Sequence, residues 1–393
     1  MEEIVILSAV RTPIGSFQGA FRSLSAPRLG SIALSAAAER ADLPFESVEQ
    51  VYMGCVLTAG VGQAPARQAA IGAGFPTTTG AVTVGKVCGS GMRSVMTGAN
   101  DLRCGDFRVV AAGGMESMSS APFLVPGARA GMRLGHSALV DSVIQDGLWD
   151  PYGDTHMGNC AELCAKKYDL SREEQDAFAL KSYQRALRAA ETGKASQEIV
   201  PVEVPQKRGE STIVDQDEEP SRVNLERIST LRPAFEKTGT ITAGNASTIN
   251  DGAAALVLTT ADHAEKLGKR PLARLVAQAT AAQAPEWFTT APVLAVRAAL
   301  QRAHLQVEDI DLWEVNEAFA AVVLGFMREL NLSDDRVNVR GGAVALGHPL
   351  GASGARILVT LLHAMEERQV RRGCAAICIG GGESTAVIVE RES

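Results

Sequence analysis

The hydrophobic positions of the chain alternate between short apolar runs and stretches with a helical period. IVILSAV, DFRVVAAGG, DGAAALVLTT (251–260), CAAICIGGG and TAVIVE (385–390) have the length and apolar character of buried strands. A helix face is predicted after Gly91, because apolar side chains recur at helical spacing at Met92, Val95, Met96, Ala99 and Leu102. Glycine-punctuated turns separate strand from helix. This alternation predicts an α/β protein with a mostly parallel sheet covered by helices.

The chain also repeats itself. ADLPFESVEQV (41–51) matches AHLQVEDIDLW (303–313), and SGMR (90–93) matches SGAR (353–356). A third pair, GGMES and GGGES, follows in the same order. Three matches in one order at nearly constant offsets indicate a duplicated unit. Two packed copies predict a layered α/β/α/β/α body.

One segment, 119–247, has no counterpart in the second half. It is rich in Gly, Pro and polar residues, with helices predicted at 159–168 and 171–192. Ser171 followed by Glu174 has the spacing of a capping box at the start of the second helix. Insertions on rigid scaffolds often form binding surfaces. The predicted division is therefore a first half of 1–118 plus 248–268, an inserted loop domain of 119–247 and a second half of 269–393.

Composition and charge narrow the class of protein. The chain has 393 residues, of which 46% are hydrophobic and 21% charged, as in soluble globular proteins. The net charge of −7 argues against a nucleic-acid partner, since phosphate binding needs clustered Lys and Arg. No apolar stretch reaches the about 18 residues needed to span a bilayer. We therefore expect neither nucleic acid nor membrane as a partner.

The cysteines and the N-terminus bear on the compartment. The seven cysteines are scattered, which favours free thiols in a reducing compartment. Cys160/Cys164 and Cys374/Cys378 lack the two-residue spacing usual for zinc, and no histidine pair completes a site. The chain opens with two glutamates, whereas a secretory signal carries positive charge there. We expect a cytoplasmic protein without a bound metal.

Cys88 lies between the strand-like run 81–87 and the predicted helix. It can be read as a buried small hydrophobe, since free cysteine is among the most buried residue types. It can equally be read as a nucleophile, because Gly89 and Gly91 would let backbone amides approach a ligand. A helix N-terminus would also lower the pKa of the thiol and favour the reactive thiolate. This segment alone leaves both interpretations open.

Three further segments carry candidate chemistry. His348 stands among glycines in VRGGAVALGHPLGASGAR (339–356), a poor place for a packing residue, and its neutral-range pKa suits a general base. Cys378 ends an apolar run before three glycines, where a core role and a chemical role are equally compatible. Asn316, in LWEVNEAFAAV (312–322), interrupts an apolar run and is either a helix cap or a buried hydrogen-bonding group.

Taken together, these segments resemble the thiolase family. SAVRTPIGSFQG, VCGSGMRSV, GGMESMS, HMG, LRPAF, TAGNAS, NEAFA, GGAVALGHPLGASGAR and CIGGGEST occur in the family's order from end to end. The resemblance implies the thiolase fold with its inserted loop domain. His156 and Met157 match the family's biosynthetic, acetoacetyl-CoA branch.

The resemblance implies a role for five residues. In thiolases, the cysteine at the position of Cys88 takes an acyl group as a thioester, and the histidine at His348 accepts the thiol proton. The cysteine at Cys378 then removes a proton from the methyl carbon of a second acetyl-CoA. A water held by Asn316, together with His348, stabilises the enolate. The backbone amides of Cys88 and Gly380 stabilise the tetrahedral intermediate.

The family's substrate contacts carry over to the following positions: Leu148, His156, Met157, Arg222, Phe235, Ala243, Ser247, Phe288, Ala318 and Phe319. Coenzyme A enters as part of the substrate, and no metal or redox cofactor is implied. Relatives are commonly tetramers built from dimers, so we expect a homotetramer.

The resemblance implies reversible condensation of two acetyl-CoA to acetoacetyl-CoA and CoA. The alternative is a degradative 3-ketoacyl-CoA thiolase acting on longer chains. Ketoacyl synthases share the fold but typically use two histidines, a Cys/His hydrolase would not need the second cysteine, and a non-enzymatic scaffold would be expected to lose site residues.

Overall fold

Ten strands form one sheet in the computed structural model, which describes residues 2–206 and 209–391. Positions 207 and 208, in the highly charged sequence QKRGESTIVDQDEEPSR (206–222), thus lie outside the described residues. The strands are β1 Ile4–Arg11, β2 Gly15–Ser16, β3 Gln50–Gly54, β4 Gly80–Val84, β5 Val109–Ser117, β6 Phe123–Leu124, β7 Val140–Asp141, β8 Trp149–Asp150, β9 Thr155–His156, β10 Val202–Val204, β11 Thr212–Val214, β12 Asn250–Thr260, β13 Ala273–Ala282, β14 Leu312–Val315, β15 Arg372–Ile379 and β16 Glu383–Glu390. The helices are α1 Ala26–Arg40, α2 Pro65–Gly72, α3 Ser90–Cys104, α4 Met157–Lys167, α5 Arg172–Glu191, α6 Lys194–Glu198, α7 Glu219–Arg222, α8 Ala261–Lys266, α9 Ala291–Ala303, α10 Ala320–Leu330, α11 Ala343–Leu346 and α12 Leu350–Arg368.

The direction of the strands corrects the sequence-based prediction. The order is β14-β15-β16-β13-β1-β12-β5-β3-β4, with β2 paired to β12. Only β3 with β4, β3 with β5, and β14 with β15 are parallel pairs in this sheet. The prediction of a mostly parallel sheet was wrong. The turn after β15 is too short for a parallel crossover, and Gly381 and Gly382 take positive φ there, so β16 returns as a hairpin.

The helices and strands form the five predicted layers. Helices α1 and α2 pack on the outer face of the first-half strands, with Leu29 and Ala69 in that core. Helices α3 and α12 lie between the two halves, and their apolar faces contact strands of both. Helices α9 and α10 cover the outer face of the second-half strands through Val296 and Phe326. The α/β/α/β/α architecture is confirmed.

The internal repeat has a structural counterpart at two of its three matches. Both 41–51 and 303–313 follow the end of a helix, contain a single 3-10 turn and enter a strand, β3 or β14. SGMR and SGAR lie in the first turns of α3 and α12. GGMES belongs to β5, whereas GGGES forms the turn into β16, so the third match joins two different local structures.

The segment 119–247 contains the short strands β6 to β11 and the helices α4 to α7. Its two longest helices, α4 and α5, were predicted to within two residues, whereas α6 and α7 were not predicted. The capping box is present: Ser171 Oγ accepts from the amide of Glu174, whose carboxylate accepts from the amide of Ser171. No helix among the described residues is both long and apolar enough to cross a bilayer. The domain boundaries themselves stay a prediction.

Candidate active site

A cavity of about 520 Å³ opens where both halves meet the inserted segment. The predicted chemical groups at its wall are Cys88, His348 and Gly380. All ten predicted substrate contacts also line it: Leu148, His156, Met157, Arg222, Phe235, Ala243, Ser247, Phe288, Ala318 and Phe319. Sequence reasoning missed further lining residues, among them Ser16, Phe17, Met118, Thr242, Ile249 and Leu350. All of these except Ile249 lie in motifs that carry the family resemblance, but their small or apolar side chains gave no chemical reason to single them out.

Cys88 sits in a 3-10 turn, Val87–Gly89, directly before α3. A Cβ on Gly89 would meet Ile379 Cδ1 at 2.3 Å, and one on Gly91 would meet the backbone of α12 at 2.8 Å. The glycines are therefore needed for close packing of the two halves around the cysteine. Sequence reasoning had assigned them to ligand approach alone.

The turn that carries Cys88 is strained. Val87 has φ +43°, a left-handed conformation that is unusual for a β-branched residue. Ser90 fixes this turn, because its Oγ accepts from the amide of Lys86 at 2.8 Å and donates to the carbonyl of Val87 at 2.7 Å. Backbone strain of this kind persists only where the surrounding structure enforces it.

The resting state of the Cys88 thiol differs from the sequence-based expectation. Burial raises the pKa of Cys88 to about 11, although the amides of Gly380 and of Cys88 itself act in the opposite direction. The expectation of a lowered pKa was wrong, because it considered the helix N-terminus and not the desolvation by both halves. Cys88 is thus protonated near neutral pH and needs a base to become a nucleophile.

His348 is held by hydrogen bonds to two neighbours. Its amide donates to Asn250 Oδ1 at 2.9 Å, and its Nδ1 lies 2.5 Å from Ser353 Oγ. The Ser353 hydroxyl donates to the carbonyl of Pro349 at 2.9 Å, so its oxygen accepts from His348 Nδ1–H. This arrangement leaves the Nε2 lone pair of His348 free.

The protonation state of His348 suits a proton acceptor. Burial, with a smaller contribution from Arg356, lowers the pKa of His348 to about 3. The imidazole is therefore neutral near neutral pH. The expectation of a neutral-range pKa for His348 was wrong, because it did not include the desolvation of the ring in the interior. Asn316 Nδ2 lies 3.5 Å from His348 Nε2, which places the amide beside the free lone pair.

Asn316 does not cap a helix. Helix α10 begins at Ala320 with Phe319 at its N-cap position, so the capping interpretation was wrong. The side chain of Asn316 is fully buried, and its Oδ1 meets no hydrogen-bond partner within residues 2–206 and 209–391. A buried amide oxygen of this kind is costly unless a ligand or water uses it.

Cys378 is the penultimate residue of β15 and is only 1% exposed. It packs with Met157, Ala318 and Phe319 behind the cavity wall. Burial and the neighbouring Cys88 raise the pKa of Cys378 well above its ordinary value. Asn316 and Cys378 thus lie just behind the wall to which Cys88, His348 and Gly380 belong.

Comparison with known proteins agrees with this geometry. The family model described as "Thiolase, N-terminal domain" matches residues 4–262, and "Thiolase, C-terminal domain" matches residues 269–391. The chain belongs to the thiolase family.

Individual relatives extend over the full length of this thiolase. It is 51% identical to the acetyl-CoA acetyltransferase of Pseudomonas aeruginosa over 393 residues, which is 100% of both chains. It is 52% identical to the mitochondrial acetyl-CoA acetyltransferase of Xenopus tropicalis, covering 100% of this chain and 92% of that one. The Acat5 thiolase from Ascaris suum, solved in complex with coenzyme A, is 46% identical, with a TM-score of 0.94 and 100% of both chains covered.

In this thiolase the inserted segment supplies an aromatic wall. The rings of His156 and Phe235 stack with centroids 4.8 Å apart, and His156 Nδ1 accepts from the amide of Gly158 at the start of α4. A Cβ on Gly158 would lie 2.3 Å from the Phe235 ring, so glycine is required for this contact. Arg222 lies at the opening with its guanidinium 3.5 Å from Glu218 and more than half exposed. The cavity is therefore apolar inside and charged at its entrance.

Proposed function

We propose that this thiolase catalyses the reversible condensation of two acetyl-CoA to acetoacetyl-CoA and CoA through an acyl-enzyme on Cys88. The observation that carries the proposal is the grouping of two protonated thiols and a neutral imidazole at and just behind the wall of the 520 Å³ cavity. The relatives' names favour this reaction over long-chain degradation.

The first half-reaction forms the acyl-enzyme. His348 Nε2 takes the proton of the Cys88 thiol, and the sulfur attacks the thioester carbon of acetyl-CoA. The CoA thiolate leaves and takes the proton of Cys378, since that thiol is protonated at rest. This step leaves acetyl-Cys88, an imidazolium at His348 and a thiolate at Cys378, and every proton is accounted for.

The second half-reaction forms the C–C bond. The Cys378 thiolate removes a proton from the methyl group of a second acetyl-CoA, and the resulting enolate attacks acetyl-Cys88. The Cys88 thiolate leaves and recovers its proton from His348. Both thiols return to the protonated state, so the residues are ready for another cycle.

Two groups of donors would stabilise the negative charges. The amides of Cys88 and Gly380 already converge on the Cys88 sulfur and are suited to the oxyanion of the tetrahedral intermediate. His348 Nε2 and a water on Asn316 would receive the enolate oxygen, since the Asn316 Oδ1 atom is free to hold that water's hydrogen.

The proposal includes no metal or redox cofactor. Thioester exchange and carbon-acid chemistry need a nucleophile, a base and hydrogen-bond donors, and the side chains above supply all three. Coenzyme A enters with the substrate, its pantetheine arm beside Ser247 and Ala243 and its charged end near Arg222.

The reaction can be tested by product analysis. The purified chain, given acetoacetyl-CoA and CoA, should yield two acetyl-CoA for each acetoacetyl-CoA consumed. A hydrolase would instead release free acetoacetate without needing CoA. A decarboxylating synthase would not consume acetoacetyl-CoA in this way, so either result would refute the proposal.

We expect a sharp limit on acyl-chain length. Met157, Phe288 and Phe319 pack beside Cys378 and close the inner end of the cavity. One added methylene in a fitting pocket is worth only about 1–3 kcal/mol, whereas a clash excludes the substrate. The kcat/KM for 3-ketoacyl-CoA substrates should therefore fall abruptly after the four-carbon substrate, when four-, six-, eight- and sixteen-carbon thioesters are compared. Rates that rise with chain length would support the degradative alternative.

Ser353→Ala should slow catalysis, because it removes the hydrogen bond that fixes the tautomer of His348. Without the Ser353 acceptor, Nδ1–H loses its partner and the ring is free to present Nε2–H, which cannot accept the thiol proton. We expect kcat to fall by about 10-fold or more, since general-base catalysis contributes about 10²–10⁴-fold. The matched control is Ser94→Ala, a buried helical serine that also donates to the carbonyl four residues earlier, at 3.0 Å. Equal activity of the two variants would contradict the role of Ser353.

We also propose a homotetramer. Strand β4 is the free edge of the sheet within the described chain and is half-exposed, as suits pairing with a second copy. The β6–β7 arm, formed by these two strands and the residues between them (123–141), exposes apolar side chains. Phe123 is 62% and Leu134 106% exposed. A second contact between dimers would cover this arm. Light scattering of the purified chain would distinguish a tetramer from a dimer.

A cytoplasmic location completes the proposal. All seven cysteines are free thiols, which is consistent with a reducing compartment. Fluorescence imaging of the tagged chain would test the location, and import into an organelle would contradict it.

A further inference from the structure

Glu116, the penultimate residue of β5, is fully buried and connects three chain segments. Its Oε2 accepts from the amides of Val56 at 3.0 Å and Gly351 at 2.8 Å. Its Oε1 accepts from the amide of Leu57 at 3.1 Å and from the thiol of Cys55 at 3.6 Å. Burial raises the pKa of Glu116 to about 7, while the three amides favour the charged form. None of the steps proposed above uses this carboxylate.

The hydrogen bond between Glu116 and Gly351 lies where the backbones of several glycines cross. The carbonyl oxygen of Gly351, in the first turn of α12, would lie 2.7, 2.8 and 1.9 Å from a Cβ added to Gly54, Gly91 and Gly114, respectively. Real Cβ atoms do not approach other atoms so closely, so the start of α12 touches β3, α3 and β5 through backbone alone. Small shifts of α12 at this point would not be absorbed by flexible side chains.

Both catalytic residues lie close in sequence to the glycines of this crossing. His348 precedes Gly351 by three residues, and Cys88 precedes Gly91 by three. Leu57 and Leu350 belong to one apolar cluster, and Cys88 packs against that cluster, so the segment held by Glu116 is part of the packing around the nucleophile. A carboxylate that fixes Gly351 and Leu57 together therefore sets where the base lies relative to the thiol.

We propose that Glu116 is a positioning residue for the thiolase reaction, holding the first turn of α12 against the start of α3 so that His348 and Cys88 stay within reach of each other. The proposal rests on the roles given to those two residues under the proposed function. Glu116 touches neither substrate nor the reacting atoms, and it acts through the backbone of Gly351 and the 55–57 segment.

Glu116→Gln tests this role. The amide keeps the size of the side chain but turns one acceptor into a donor that faces backbone N–H groups. We expect the variant to fold and to become acetylated at Cys88 to the wild-type extent. Its kcat per acetylatable site, meaning kcat divided by the fraction of chains that can be acetylated at Cys88, should fall by about 10- to 100-fold. Displacement of a catalytic group by about 1 Å is enough for such a loss. The KM for acetyl-CoA should change less than kcat, since Glu116 itself does not line the cavity.

Glu162→Gln is the matched control. Glu162 is also buried and accepts from the backbone amides of Thr240 and Ile241, at 2.9 and 2.8 Å, within the inserted segment. It contacts neither α3 nor α12 through these bonds. We expect this variant to lose stability but to keep the wild-type kcat per acetylatable site.

The possible outcomes distinguish a positioning role of Glu116 from a purely structural role. A wild-type kcat per acetylatable site in Glu116→Gln would overturn the proposal. If Glu116→Gln does not fold, Glu116→Asp, which keeps the charge but shortens the reach, should fold with a lowered kcat per site. Failure of both to fold while Glu162→Gln folds would show a structural role and also overturn it. Failure of the wild-type chain to acetylate Cys88 would instead refute the proposed function on which it rests.

Discussion

Replacing Cys88 by alanine should abolish turnover of acetoacetyl-CoA. Both half-reactions pass through the thioester on this sulfur, and burial keeps other thiols from reaching the same position. Loss of an activated nucleophile costs on the order of 10⁴- to 10⁶-fold in kcat. The measurement is CoA-dependent loss of acetoacetyl-CoA, with Cys104→Ala as the control, because Cys104 is the exposed last residue of α3, the helix that follows Cys88. Substantial turnover by Cys88→Ala would show that Cys88 is not the nucleophile.

Replacing Cys378 by alanine should separate the two half-reactions. The variant should still acquire one acetyl group, since His348 can deliver its proton to the leaving CoA. It should not exchange the methyl protons of acetyl-CoA for deuterium, because the carbon base is missing. We expect condensation to fall by roughly 10²- to 10⁴-fold, the range of general-base contributions.

The control for Cys378 is Cys374→Ala, which changes a fully buried thiol in the same strand, β15. It should acetylate, exchange methyl protons and condense normally. Normal proton exchange in Cys378→Ala would show that Cys378 is not the carbon base. Loss of acetylation would show that Cys378 is also required for the first half-reaction, so that the two half-reactions do not separate at this residue.

The helices and strands were predictable where the signal is local. The apolar period gave α3, and Ser171 with Glu174 gave the start of α5, because each feature lies within a few residues. Strand direction was not predictable in the same way. It depends on how tightly the chain turns after β15 and on where β12 returns after the inserted segment, and neither is encoded in the strand's own pattern.

The properties of the site likewise divide into those with a local sequence signal and those that depend on distant parts of the chain. Cys88, His348 and Gly380 stand in glycine-rich segments that local pattern and family resemblance both single out. The raised pKa of Cys88 was missed because it arises from burial by both halves, which no single segment contains. In the sequence, Glu116 was noted only within the GGMES repeat and the GGMESMS motif, without a role of its own. Its amide partner Gly351 is distant in sequence, so its role becomes visible only when β5 and α12 are brought together.

The central claim is that Cys88 carries the acyl group. The direct test is peptide mapping by mass spectrometry after brief treatment of the wild-type chain with acetyl-CoA alone. The account predicts one acetyl group per chain, on the peptide that contains Cys88, and its disappearance when CoA is added. A stable acetyl group on Cys378 or another residue, with Cys88 unmodified, would contradict it.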